Sequence, residues 1–167
     1  MRKLERSARW GVPGAAPSAD KKRLKVLFVE DDLESRHIGV MRLGRHFELL
    51  VASNDEEACA LYRVHADEIY LIILDIQLQG SLLDGMQLCK LFRKGTCDVT
   101  VPEYAYHLPV RSIPVVFTTA YGHRYGYNNL ADAGGNRVME KPLDFVRLCT
   151  VLQTLHQDIA KKDFEVL

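Results

Sequence analysis

The sequence predicts an α/β fold with a doubly wound, five-stranded parallel sheet in a (βα)5 arrangement. Short apolar runs alternate five times with segments of helical periodicity, and this alternation is typical of a parallel sheet with helices on both faces. The runs are almost continuously apolar, as strands covered on both faces require. The chain has 167 residues, 47% of them hydrophobic and 26% charged, with no net charge. This composition is ordinary for one globular domain and excludes collagen-like, coiled-coil and wholly disordered classes.

The strands are predicted from runs rich in Val, Ile, Leu and Phe. These runs cover residues 24–29, 47–52, 69–74, 113–118 and 137–140.

Helices are predicted between these strands. We expect them at 33–46, 53–66, from 84 onward, at 124–133 and from about 142 to the end of the apolar stripe.

Local signals mark where several of these helices begin. Ser53 with Glu56, and Asp84 with Gln87, have the spacing of a capping box. Pro142 stands near the start of the last helix, where its missing N–H does no harm.

In the first helix, Ile38 and Met41 are one helical turn apart. We therefore expect them on one face of this helix.

Two segments fall outside the repeating pattern. Residues 1–25 carry eight Lys or Arg and two acids among several Gly and Pro residues, so residues 1–21 are predicted to be a flexible basic arm. Within the domain at 22–167, residues 95–112 are too long for an ordinary helix-to-strand loop and are predicted to be an insertion. Because helix-to-strand loops lie at the amino ends of parallel strands, we expect the insertion to pack there, or to form a strand-like arm, at the opposite pole from residues that follow the strands.

The cysteines indicate a reducing compartment. Cys59, Cys89, Cys97 and Cys149 are widely spaced and form no C-x-x-C pair, so no zinc or redox motif is predicted. No apolar run approaches the ~20 residues of a membrane span, and the N-terminus lacks a secretory apolar core. We expect a cytoplasmic protein without a membrane span.

Polar residues follow four of the predicted strands. They are Glu30, Asp31 and Asp32 after the first, Asp75 after the third, Thr118 and Thr119 after the fourth, and Lys141 after the fifth. Ligands of open α/β sheets bind beyond these carboxyl ends. Two carboxylates about 4 Å apart repel by roughly 4 kcal/mol at an effective dielectric of 20, so the set favours a cation, and all-oxygen ligands favour Mg²⁺. A metal, a lysine, a hydroxyl and a nucleophilic carboxylate together indicate phosphoryl transfer to Asp75.

Four motif blocks in order carry a family resemblance. They read KVLFVEDD, LIILDIQL, VVFTTAYG and VMEKPL. Together they resemble the bacterial response-regulator receiver domain over residues 22–155. The spacings of 44 residues from Asp31 to Asp75 and 22 from Thr119 to Lys141 are those of the family. The resemblance implies a flavodoxin-like version of the predicted fold.

The resemblance also implies a role for each acidic residue. Asp75 would accept the phosphoryl group, and Glu30 and Asp31 would form the acidic pair. Asp31 would bind Mg²⁺ directly, Glu30 through water, and Gln77 through its backbone carbonyl. Asp32 is expected at the start of the first helix instead.

The remaining strand-end residues receive roles in the same way. The resemblance implies that Thr119 bonds the transferred phosphoryl group and that Lys141 pairs with it. Thr118 points to the other face of its strand and is expected to be structural.

One position departs from the family pattern. The family often has Tyr or Phe three residues before the lysine as a rotating switch, and this chain has Val138 there. An aromatic cluster follows Thr119 instead. Either one of its members replaces the switch, or all of them are exposed aromatics of the loop. The cluster comprises Tyr121, His123, Tyr125 and Tyr127.

The resemblance implies a stand-alone receiver that modifies only itself and turns over no separate substrate. Its expected partners are a sensor histidine kinase or histidine phosphotransfer protein and an unknown downstream protein, with a homodimer possible. No DNA-binding domain is expected after the last helix.

Three other functions were considered. The alternative is a pseudo-receiver that binds a partner without phosphorylation. A haloacid-dehalogenase-type phosphatase is disfavoured, because it would need a second Asp where Gln77 stands. A flavodoxin-like flavin carrier is disfavoured too, because its first loop binds phosphate and the acids at 30–32 would repel it.

Overall fold

The computed structural model describes residues 23–121 and 127–164. Its strands are β1 (Lys25–Val29), β2 (Glu48–Ala52), β3 (Ile69–Asp75), β4 (Val115–Thr119) and β5 (Arg137–Glu140). The predicted basic arm at 1–21 lies outside the described residues.

The helices alternate with these strands. They are α1 (Leu33–Leu43), α2 (Asp55–His65), α3 (Gly85–Lys94), α4 (Tyr127–Asp132) and α5 (Phe145–Phe164), and a 3₁₀ turn at Glu103–Ala105 lies between α3 and β4.

The five strands form one parallel sheet in the order β2-β1-β3-β4-β5. The predicted fold class is therefore confirmed. From β1 the chain moves to one side to form β2 and then returns to the other side to form β3. A crevice opens at such a switch point, beyond the carboxyl ends of β1 and β3, which is where the polar residues following these strands meet.

Alternating strand residues feed two core layers. Leu27 and Ile72 belong to the layer beneath α2 and α3, whereas Phe28 and Ile73 belong to the layer beneath α1 and α5. This period-2 alternation explains why the strands are apolar along their whole length.

Helix α1 packs on the sheet through a face that does not carry Ile38 and Met41. Ile38 and Met41 are 42% and 56% exposed, while Gly39 and Leu43 are buried. A Cβ at Gly39 would lie 2.5 Å from the ring of Phe28, so the helix approaches the sheet through its glycine. Hydrophobic periodicity cannot detect such a contact, because glycine has no side chain to count.

The cap predicted for α2 is displaced by one residue. Asn54, not Ser53, accepts the cap hydrogen bond, from the N–H of Glu57 at 2.8 Å, and the Glu57 carboxylate accepts from the Ser53 N–H at 2.7 Å. The shift arises because β2 ends at Ala52 and both Ser53 and Asn54 precede the first helical turn. At α3 the capping box of Asp84 and Gln87 is confirmed.

The 95–112 insertion packs along α2. It forms no strand, although the structure describes all of it; its regular element is the single 3₁₀ turn. Arg63 of α2 donates to the carbonyl oxygens of Tyr104 and Tyr106 at 2.6 and 2.9 Å, and Ala105 is buried.

The expectation that the insertion stays at the opposite pole is wrong for Tyr104. Its hydroxyl donates to the carboxylate of Asp55 at the first turn of α2, on the carboxyl side of the sheet. The insertion leaves α3 at the amino pole, but its turn lies along α2 closely enough for a tyrosine to reach the other end.

Among the described helices, none combines the length and the apolar character needed to cross a membrane.

Candidate active site

Three carboxylates converge beyond the switch point of the sheet. Glu30 and Asp31 follow β1, and Asp75 is the last residue of β3. One oxygen from each lies within 4.8 Å of the others. The parallel register explains this: Val29 pairs with Leu74, so the next residues, Glu30 and Asp75, lie side by side.

A lysine from the far side of the sheet bridges two of these carboxylates. Lys141 follows β5, and its Nζ donates to Asp75 at 2.5 Å and to Glu30 at 2.7 Å. Its backbone N–H donates to the carbonyl of Thr119 at 2.8 Å, which fixes the chain at this point. The peptide bond between Lys141 and Pro142 is cis.

The cluster carries more negative than positive charge in a buried setting. Glu30 and Asp75 are 1% and 3% exposed. Burial raises the pKa of both carboxyl groups, although the hydrogen bond from Lys141 opposes the rise. Burial disfavours the charged form of Lys141, but its bonds to the two carboxylates raise its pKa overall. One ammonium does not balance three carboxylates, so a bound cation would offset the remaining negative charge of the cluster.

The β3–α3 loop, residues 76–84, turns its backbone N–H groups toward these acids. The N–H of Gln77 donates to Asp75 and that of Gln79 to Asp31, both at 3.1 Å. These are N–H contacts, so the carbonyl ligation expected of Gln77 stays a prediction.

The loop closes tightly where α3 begins. Gly85 donates its N–H to the carbonyl of Ile76 at 2.9 Å. A Cβ at Gly85 would lie 2.1 Å from the carbonyl oxygen of Asp75. Only glycine fits here, and its absence would displace the backbone of the residue that carries the central carboxylate.

The two threonines of β4 differ in their surroundings. Thr119 accepts the N–H of Tyr121 at 3.0 Å, which leaves its O–H to donate. The Thr118 hydroxyl is buried and has no hydrogen-bond partner among the described residues. Asp32 caps α1 by accepting from the Ser35 N–H at 2.8 Å, as expected, and this bond lowers the pKa of Asp32.

The position of the usual aromatic switch holds a packed aliphatic side chain. Val138 is partly buried against the core layer of α2 and α3. Tyr121 is exposed, while His123 and Tyr125 lie outside the described residues, as does the side chain of Tyr127. The choice between these aromatics as a replacement switch stays open.

Two residues that contact this site were not predicted from the sequence. Arg36 donates to the carbonyl oxygens of Glu30 and Asp31, both at 2.9 Å, and so orients the backbone of the acidic pair. Asp55 accepts N–H groups of the β3–α3 loop. Arg36 lies only five residues after Asp31, so its nearness in the sequence is a signal; Asp55 gives no sequence signal of its own.

Comparison with known proteins shows the family of this chain. Residues 26–153 match the family described as the response regulator receiver domain. This chain is 30% identical over 131 residues to hybrid signal transduction histidine kinase M of Dictyostelium discoideum, covering 78% of this chain and 5% of that protein.

Solved structures give the same result. NtrX from Brucella abortus is 25% identical with a TM-score of 0.62, over 84% of this chain and 29% of that chain. A CheY-like receiver domain protein from Methanospirillum hungatei JF-1 is 18% identical with a TM-score of 0.59, over 86% of this chain and 98% of that chain, and shows the likeness of fold.

The sheet order and the five βα units define a flavodoxin-like class of α/β domain. The chain belongs to the response regulator receiver domain family of two-component signalling. It spans only a small part of the curated histidine kinase and less than a third of NtrX.

Proposed function

We propose that this chain is a phosphoacceptor receiver that takes a phosphoryl group onto Asp75, with Mg²⁺, from a histidine kinase or histidine phosphotransfer protein. It then signals through contacts with a downstream protein and turns over no separate substrate. The reducing compartment expected from its cysteines favours the cytoplasm as the location. The observation that carries the proposal is the convergence of Glu30, Asp31, Asp75 and Lys141 at one buried point.

The donor set fits Mg²⁺. Three carboxylate oxygens within 4.8 Å of one another match the preference of this ion for a few carboxylates, with waters and phosphate completing its shell. Asp31 and Asp75 would hold the ion directly, together with the Gln77 carbonyl, and Glu30 would act through water. When bound, Mg²⁺ supplies positive charge against the phosphoryl oxygens.

Three side chains have separate roles in the phosphoryl transfer. An oxygen of the Asp75 carboxylate attacks the donor phosphorus. The bond from phosphorus to the donor histidine nitrogen breaks, and its electron pair stays on that nitrogen. An acyl phosphate results at Asp75. Lys141, already bonded to Asp75, neutralises a phosphoryl oxygen as a point charge, and the Thr119 hydroxyl donates to another.

The experiment is phosphoryl uptake from acetyl phosphate, measured by intact mass. We expect the wild-type protein to gain one phosphoryl group in Mg²⁺ and none after chelation. Asp75→Asn should gain none, because an amide is not a nucleophile here. Asp67→Asn is the matched control, since Asp67 is exposed and pairs with Arg111 on the surface.

Absence of uptake by the folded, Mg²⁺-loaded wild-type protein would overturn the proposal and favour the alternative. That alternative is a pseudo-receiver, a phosphorylation-independent interaction module. Val138 at the usual switch position is the feature that favours it.

A further inference from the structure

A buried carboxylate outside the phosphoacceptor cluster joins three segments of the chain. Asp55, at the start of α2, is 4% exposed. Its Oδ2 accepts the N–H groups of Leu82 and Leu83 at 3.1 and 2.9 Å, and also the hydroxyl of Tyr104. Its own N–H donates to the Ser81 hydroxyl at 3.2 Å. Helix α2, the β3–α3 loop and the 95–112 insertion thus meet at one residue.

Helix α2 also holds the backbone of Tyr104. Arg63 donates to the Tyr104 carbonyl at 2.6 Å, and the neighbouring Ala105 is buried in the α2–α3 core layer. The tyrosine is therefore fixed at its backbone and at its hydroxyl. Burial and the bond to Asp55 raise the pKa of Tyr104, so the hydroxyl keeps its proton.

The loop held by Asp55 is the one that faces the phosphoacceptor. Gln77 and Gln79 of the β3–α3 loop donate to Asp75 and Asp31. Only two residues separate Gln79 from Leu82. We therefore expect a displacement at Leu82 to shift the N–H groups of Gln77 and Gln79 that face Asp75 and Asp31.

Asp55 accepts hydrogen bonds from two backbone N–H groups and one hydroxyl, all of them uncharged. Its burial is therefore offset by these hydrogen bonds. A buried carboxylate costs much free energy unless its oxygens are hydrogen-bonded. Loss of the Tyr104 hydroxyl would leave Oδ2 with two of its three donors. The carboxylate would then be held by the two loop N–H groups alone, and we expect these two bonds to open more readily.

We propose that Tyr104 and Asp55 are positioning residues through which the 95–112 insertion fixes the β3–α3 loop. The loop in turn sets the positions of the Gln77 and Gln79 backbone groups beside the proposed Mg²⁺ site. The inference rests on the proposed function for its effect on chemistry. Its structural part, anchoring of the loop by the insertion, stands on the contacts of Asp55.

The test uses Tyr104→Phe, which removes only the hydroxyl. Amide hydrogen exchange at Leu82 and Leu83, Mg²⁺ affinity by calorimetry and the rate of phosphoryl uptake from acetyl phosphate are measured together. We expect exchange at these two amides to rise about tenfold, as for one lost bond to a charged group. Mg²⁺ affinity and uptake rate should fall by a few-fold.

Tyr62→Phe is the matched control. Tyr62 also lies on the α2 side, and its buried hydroxyl donates to the Phe92 carbonyl at 3.2 Å, away from the loop. It should lower global stability without changing exchange at Leu82 or Mg²⁺ affinity.

Wild-type exchange at Leu82 and Leu83 in Tyr104→Phe would overturn the proposal, as would an equal change in Tyr62→Phe. If wild-type protein takes up no phosphoryl group, the proposed function fails, while the exchange comparison still decides whether the insertion anchors the loop.

Discussion

The backbone N–H groups that follow β3 and β4 find their acceptors at different distances along the sequence. After β3, the backbone is held by side chains from three places, with Asp31, Asp55 and Asp75 all accepting its N–H groups. After β4, in the part of the chain that the structure describes up to residue 121, the Tyr121 N–H donates to the hydroxyl of Thr119, two residues earlier. Side chains from distant parts of the sequence therefore fix the backbone after β3, whereas the contact after β4 is local. If the proposed function is right, the first loop presets the Mg²⁺ site and the Thr119 hydroxyl responds to the incoming phosphoryl group.

The largest expected effect is on Mg²⁺ affinity, from a substitution in the acidic pair of Glu30 and Asp31. Asp31→Ala should weaken Mg²⁺ binding by more than about tenfold, since changes even one shell further out cost that much. Asp32→Ala should leave Mg²⁺ affinity unchanged but cost about 1 kcal/mol of stability, because Asp32 caps α1. Calorimetric titration of both variants checks this, and the reverse order would show that the ligand is misassigned.

The next effect concerns the rigidity of the β3–α3 loop. Gly85→Ala places a Cβ where the Asp75 carbonyl oxygen lies, so we expect a loss of about 2–3 kcal/mol in the free energy of unfolding. Gly80→Ala in the same loop has φ +78° but open space around it, and should cost about 1 kcal/mol. Urea denaturation measures both. Equal losses would mean that the loop has no special closure at Gly85.

The smallest expected effect is on the free energy of unfolding, from a substitution of Thr118 in β4. Thr118→Val replaces a buried hydroxyl that has no partner among the described residues with a methyl group of the same shape. We expect a gain of about 1 kcal/mol in the free energy of unfolding and an unchanged rate of phosphoryl uptake. Thr119→Val, one residue later, should instead slow uptake. Destabilisation by Thr118→Val would show that this hydroxyl has a hydrogen-bond partner.

The sequence predicted what depends on local pattern and missed what depends on distant pairs. The buried strands are unbroken apolar runs, so β1, β3 and β4 were found to within two residues, and parallel topology placed Glu30 and Asp75 at one edge. The contact of Gly39 with Phe28 could not be found, because glycine carries no hydrophobic signal.

The anchor at Asp55 was missed for a related reason. Asp55 and Tyr104 are 49 residues apart, and their pairing depends on how the insertion lies on α2. Sequence periodicity gives no direction to a segment without helix or strand. The rule that helix-to-strand loops lie at the amino pole placed the ends of the insertion but not the tyrosine that reaches back from it.

The central claim is that Asp75 carries the phosphoryl group, and chemical trapping tests it most directly. Borohydride reduces an acyl phosphate to an alcohol with loss of phosphate, which converts a modified aspartate into homoserine. After treatment with acetyl phosphate and Mg²⁺, peptide mass spectrometry of the wild-type protein should find homoserine at position 75 and at no other aspartate. Homoserine at position 31 or 32, or at no position in a folded, Mg²⁺-loaded sample, would contradict the account.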